Sequence, residues 1–148
     1  MKQEEVSKLE KMRHSASHVL AQAVLKIYPD AKLGIGPAIE NGFYYDFEFP
    51  EPLEEEDLKE IENEMKKIIK RKLQITQTYM KRKDAIKYLK DIGQEYKLEL
   101  LEEIPDEEVS FFITGDSEFV DMCRGPHVED TGDIGPIKLL KTAGAYWR

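Results

Sequence analysis

The chain has 148 residues, 41% hydrophobic and 35% charged, enough for one domain with a core beneath a heavily solvated surface. Thirty acidic residues against 22 basic ones leave a net charge of −8, which excludes broad, non-specific nucleic-acid binding but not a local basic contact. A single cysteine forms no internal disulfide and suits a reducing cytoplasm, and without a signal peptide or a long apolar run neither secretion nor membrane insertion is expected.

The first 28 residues read as a helix, Lys2 to Tyr28, with Val6, Leu9, Ala16, Val19, Leu20, Ala23, Val24 and Ile27 at helical spacing and Pro29 as its stop. His14 and His18 stand at i and i+4 and project from one face. Lys32 to Phe49 reads as a β-hairpin turning at Glu40-Asn41-Gly42, with Phe43, Tyr45, Phe47 and Phe49 on one side. Such an aromatic row belongs to a core; Tyr45 can pack its ring there and still present its hydroxyl at a cavity edge. A second helix is expected from Leu53 to Lys72. Its stripe is Leu58, Ile61, Met65, Ile68 and Ile69, with acids leading and bases trailing, as the helix dipole favours. The basic end, Lys66 to Lys72, reads as a solvated terminus or a phosphate contact.

A strand from Gln74 to Met80 follows, then helices from Asp84 to Ile92 and from Gln94 to Leu101, the latter carrying Lys97. After the acidic loop Glu102 to Glu108, strands are expected at Val109 to Thr114 and Glu118 to Cys123. A loop runs from Arg124 to Gly135, and a last strand from Ile137 to Thr142. The order predicts an α+β fold of two layers, a mostly antiparallel sheet with helices packed on one face, in an α-β2-α-β2-like core. Because the last strand runs close to the final residue, the chain is expected to be a fragment of a longer protein.

Every imidazole and the one thiol fall into two short pairs, His14-x-x-x-His18 and Cys123-x-x-x-His127, more than a hundred residues apart. If the fold joins them, two chemistries are open. The four can make a tetrahedral metal set. Alternatively, imidazoles with Asp121 and Lys97 around a cleft can orient and activate a water without metal. A Cys123 nucleophile is the least supported, since nothing in the sequence places a base beside it.

Five blocks carry more than these pairs alone: His14 to Ala21, Gly36 to Phe47, Tyr96-Lys97-Leu98-Glu99, Phe119 to His127 and Lys141 to Arg148. Together they resemble the editing domain of bacterial-type threonyl-tRNA synthetase, in the threonyl/alanyl-tRNA synthetase second additional domain family. The resemblance implies a single editing domain over residues 1–148, without the small N-terminal and the catalytic domains of that family. It also implies hydrolysis of the ester of mischarged seryl-tRNA(Thr). Its partners would be the serine-bearing 3′ end of tRNA(Thr) and the rest of a parent threonine–tRNA ligase, in the cytoplasm and away from membranes. It carries over catalytic roles to His14, His18, Lys97, Asp121, Cys123 and His127, and substrate binding to Tyr45, Asp121 and His18. His14 and Lys97 would take the terminal ribose and the water, Asp121 and His18 the serine, Tyr45 the wall, and Cys123 and His127 the shape of the pocket. Alanyl-type relatives hold zinc with this four-residue set whereas the threonyl type works by water activation, so no cofactor is expected to be required; zinc, if present, would sit on His14, His18, Cys123 and His127. Two alternatives are a freestanding zinc-dependent alanyl-type trans-editing hydrolase and a non-catalytic zinc-stabilised tRNA-binding module.

Overall fold

A computed structural model describes residues 2–35, 38–39, 42–51 and 53–140. Helix α1 spans Lys2–Ile27, and its residues Ala16, Val19, Ala23 and Val24 are buried against Ile61, Met65 and Ile68 of α2 (Glu55–Lys70). These positions recur every three or four residues, so each helix turns one continuous apolar stripe to the other. Each of the larger side chains so buried contributes about 1.5–3 kcal/mol of hydrophobic stabilisation. Helix α2 starts where the Asp57 carboxylate accepts the Glu54 N–H at 2.8 Å. Its acidic first turn and basic last turn complement the dipole.

Between these helices lies the hairpin, built of short pieces. Strand β1 (Lys32–Leu33) pairs antiparallel with β4 (Phe47–Glu48), and β2 (Ala38–Ile39) with β3 (Gly42–Phe43). Gly34 and Asp46 continue the first pair through a backbone bond of 2.8 Å. The Asn-Gly turn falls partly outside the described residues, since Glu40 and Asn41 do. The aromatic row forms in part as expected: Tyr45 stacks on Phe47 with ring centroids 4.9 Å apart, and Phe47 lies 5.3 Å from Phe49. Phe43 packs with Phe47 and Phe49 against the α1–α2 core.

The second half is a three-stranded antiparallel sheet in the order β5 (Ile75–Lys81), β6 (Glu108–Thr114), β7 (Phe119–Met122). Strand alternation gives it two unlike faces. Val109, Phe111 and Met122 face α3 (Arg82–Asp91) and α4 (Glu95–Glu102), where they bury Ala85, Leu89 and Leu101. Ser110, Phe112 and Asp121 point the other way. The architecture is α+β as predicted, with its antiparallel pairing divided among three small sheets.

One expected element does not form among the described residues. Among residues 137–140 no strand forms, and residues 141–142 lie outside the described ones. The backbone here runs along α2: Leu139 donates its N–H to Glu62 Oε1 at 2.8 Å. That bond, followed by the lysines Lys66 and Lys138, holds the buried Glu62 carboxyl below its usual range. The alternation of Ile137 and Leu139 therefore serves a helix face, against which both pack. The predicted loop before it also contains a 3-10 helix, Thr131–Ile134. Thr131, fully buried, donates through Oγ1 to the Ile68 carbonyl at 2.9 Å and accepts the Leu73 N–H at 3.0 Å. This hydroxyl ties together two backbone groups where α2 ends.

Candidate functional site

The structure joins the two pairs. His14 and His18, one helical turn apart on α1, meet the segment Cys123 to His127 that leaves β7. The His14 and His127 rings stack with centroids 4.2 Å apart, and the His18 and His127 rings are also 4.2 Å apart. Cys123 Sγ lies 3.2 Å from His14 Nε2 and 3.5 Å from His127 Nε2.

Two local features hold this arrangement. The first is Ser15, which the sequence reading passed over. Its buried Oγ accepts the Val128 N–H at 3.0 Å and lies 2.9 Å from His127 Nδ1, so α1 grips the returning segment on both sides of the histidine. The second is Gly125. Its φ is +80°, and a Cβ there would stand 2.7 Å from Phe112 Cζ, so only glycine fits both the backbone and the ring. Phe112 in turn packs against His127 at 4.4 Å. Neither residue carries a motif signature; only geometry reveals them.

Hydrogen bonds also fix orientations. His14 Nδ1 donates to the Pro126 carbonyl at 3.1 Å, which leaves Nε2 with its lone pair toward Cys123. The Gly125 N–H donates to Cys123 Sγ at 3.2 Å. Burial lowers the pKa of all three histidines: His14 is lowered, His18 is lowered well below the usual value with His14 and Lys97 adding to the effect, and His127 falls to about 2. Burial also pushes the Cys123 thiol up to about 11. At neutral pH the cluster is therefore three neutral imidazoles and a protonated thiol, which disfavours a thiolate nucleophile.

Beside it lies a buried polar array. Asp121 receives Tyr45 Oη at 2.8 Å on Oδ2 and Lys97 Nζ at 3.0 Å on Oδ1, and His18 Nε2 stands 3.5 Å from Oδ2. The side chains of Lys97 and Asp121 are 5% and 3% exposed, so the pair is desolvated and each member needs the other. Lys97 Nζ also lies 5.3 Å from the Tyr45 ring centroid. Burial, then Asp121, raises the Tyr45 hydroxyl well above its normal pKa, so it acts as a donor. All seven residues singled out in the sequence are thus in one continuous constellation. At the basic end of α2 the side chains pair elsewhere: Arg71 with Glu118 at 2.8 Å and Lys66 with Glu62 at 3.4 Å. Arg82 donates to the carbonyls of Leu101, Ile104 and Asp106.

The metal set passes a geometric test. One donor atom from each of His14, His18, Cys123 and His127 lies within 4.8 Å of the others. Ligands at tetrahedral zinc distances stand roughly 3.3–3.8 Å apart, so a contraction of about 1 Å at the widest point would suffice. Neutral imidazoles and a thiol are suitable donors.

An α+β domain with an imidazole–thiol cluster beside a buried Lys–Asp–Tyr array defines a small polar site of the kind that positions a water or an ion. Comparison with known proteins gives the class a family. Residues 109–145 match the model described as threonyl and alanyl tRNA synthetase second additional domain, and the chain belongs to that family. It is 53% identical over 137 residues to a threonine–tRNA ligase of Acetivibrio thermocellus, covering 92% of this chain and 21% of that protein. With the ligase of Clostridium tetani it shares 54% over 138 residues, 93% of this chain and 21% of the relative. With that of Thermosynechococcus vestitus it shares 50% over 149 residues, 99% and 24%. The chain thus spans about a fifth to a quarter of the length of these relatives. Among the described residues no helix is long and apolar enough to cross a membrane.

Proposed function

We propose that this domain hydrolyses the ester of seryl-tRNA(Thr), as the post-transfer editing unit of a longer threonyl-tRNA synthetase in the cytoplasm. The observation that carries the reading is the meeting of His14, a neutral ring whose Nε2 acceptor faces Cys123 Sγ at 3.2 Å, and the buried Asp121–Lys97–Tyr45 array within one constellation. The need is physical. Serine lacks one methyl of threonine, and a missing methylene-sized contact discriminates by only ~1–3 kcal/mol. A second pocket that admits serine and excludes the methyl supplies the rest.

In this mechanism His14 Nε2 takes a proton from a water whose oxygen attacks the ester carbonyl carbon. The carbon–oxygen bond to the ribose breaks, and the proton taken by His14 passes to the departing ribose oxygen. Lys97 has two N–H donors beyond the one on Asp121 and serves the ribose and the developing oxyanion. A carboxylate has about four acceptor positions; Asp121 uses two on Lys97 and Tyr45, with His18 Nε2 3.5 Å from Oδ2, which leaves acceptor capacity for the serine ammonium. Tyr45 closes the wall, while Cys123 and His127 give the pocket its shape. No metal is required by this scheme. If zinc binds, His14, His18, Cys123 and His127 would hold it, and it would supply Lewis acidity at the same place.

The test is to incubate the chain with seryl- and threonyl-tRNA(Thr), before and after chelation, and to follow loss of each ester. Selective loss of serine that survives chelation is expected. Equal loss of both, or loss of neither, overturns the reading. The fit of the four donors to zinc favours the zinc-dependent alternatives, a freestanding alanyl-type hydrolase or a non-catalytic tRNA-binding module. The first predicts faster hydrolysis of seryl-tRNA(Ala) that chelation abolishes. The second predicts metal-dependent folding without hydrolysis.

A further inference from the structure

The face of the three-stranded sheet that carries the site does not end at the pocket. Residues directly opposed on antiparallel strands point to the same side. Asp121 opposes Phe112, which opposes Gln77, while Ser110 opposes Tyr79. Cys123 extends the pairing by donating its N–H to the Ser110 carbonyl at 3.0 Å. Two rows therefore run outward from the pocket, Asp121–Phe112–Gln77 and Cys123–Ser110–Tyr79. They end on β5, an outer strand of the sheet.

The chemistry changes along these rows. The inner positions are buried, Asp121 at 3% and Phe112 at 8%, whereas Tyr79 at the outer end is 59% exposed. Gln77 Nε2 donates to Ser110 Oγ at 2.9 Å, which fixes an amide and a hydroxyl on the surface between the aromatic ring and the pocket. A large exposed ring, set about 10 Å (two strand spacings) from Cys123, is not explained by core packing. Charge is modest here: Lys81 on the same face is opposed by Glu108, and the exposed Arg124 is 3.9 Å from Asp106.

We infer that Tyr79, with Gln77 and Ser110, forms a stacking platform for the unpaired nucleotides at the 3′ end of the tRNA whose terminal ester enters the pocket. This rests on the editing reading, which supplies the reason for a nucleic-acid strand to leave the pocket. A single strand is recognised by stacking of bases on aromatic rings and by hydrogen bonds to exposed base edges, with no need for the dense positive charge that duplex binding demands. An acidic protein with an open ring and an adjacent amide on this face fits that mode. The strand would cross the sheet from Cys123 over Ser110 to Tyr79.

The experiment uses the 148-residue chain and a fluorescently labelled RNA minihelix, an acceptor stem with its four-nucleotide 3′ overhang, compared with a blunt stem. Binding that depends on the overhang is expected, weakened on the order of 10-fold by Tyr79→Ala and restored to within about twofold by Tyr79→Phe. Tyr79→Ala should raise KM for seryl-tRNA by a similar factor, with kcat and the hydrolysis of a small serine ester of adenosine unchanged. Overhang-independent binding, or equal affinity of Tyr79→Ala and the parent chain, overturns the platform. Failure of the parent chain to hydrolyse either ester would instead overturn the editing reading, and the binding arm would still decide the platform.

Discussion

At the scale of the residue, the site depends on imidazoles held neutral. His14 is only partly buried, and with Nδ1 on the Pro126 carbonyl its Nε2 is left as the acceptor, so His14→Ala should reduce hydrolysis of seryl-tRNA by 10²-fold or more (~10²–10⁴ for a general base) without shifting the melting temperature much. Because burial lowers its pKa below the usual 6.5, the rate should be flat above about pH 6.5 and fall only below it. An acidic limb centred at pH 7 or higher in single-turnover rates would contradict the assignment. Asp121→Asn probes the neighbouring array. It leaves Lys97 buried without its counter-charge, a loss of about 3–5 kcal/mol, read as a lower urea midpoint. Asp121 was visible in the sequence two residues before the Cys–His pair. That it anchors Tyr45 and Lys97 at once was not, because those partners lie on separate elements.

At the scale of the element, the segment from Cys123 to Val128 is positioned by contacts that no motif announces. Gly125→Ala would force Phe112 or the turn to move, since the added Cβ meets the ring at 2.7 Å and the φ of +80° disfavours any side chain. We expect a loss of roughly 1–3 kcal/mol with hydrolysis falling further than stability, measured by urea melts alongside deacylation. The helices and the β5–β7 strands were legible in the sequence to within about two residues, because their apolar periods of 3.6 and 2 persist long enough to be unambiguous. The strand expected at Ile137 was not realised. Alternation over four residues also suits a chain laid along a helix, and the choice was made by Glu62, a carboxylate on α2 that accepts the Leu139 N–H. Thr131 and Ser15 were illegible for a related reason: a hydroxyl that satisfies distant backbone groups looks in sequence like any surface serine or threonine.

At the scale of the whole molecule, stability should depend on acid. The unfolded chain binds protons on His18 and His127 near pH 6.5, while the folded chain resists them, His127 down to about 2. Below about pH 6.5 the unfolded state binds more protons, so stability is full above that value and is progressively lost as pH falls toward the folded pKa values. Denaturant midpoints between pH 7.5 and 5 should fall, and they should fall less in His127→Asn. A midpoint constant over that range would show that these rings are not buried neutral. The pairing of His14 with Pro126 across 112 positions also has a kinetic meaning. Contacts of such separation carry the largest loop-closure entropy and are slow to form, so neither the first helix nor the last strand can make the site by itself. A nascent or half-folded chain is therefore chemically silent. During refolding, hydrolysis should return only with the slowest phase, later than helical signal, so activity serves as a clock for the completion of the fold.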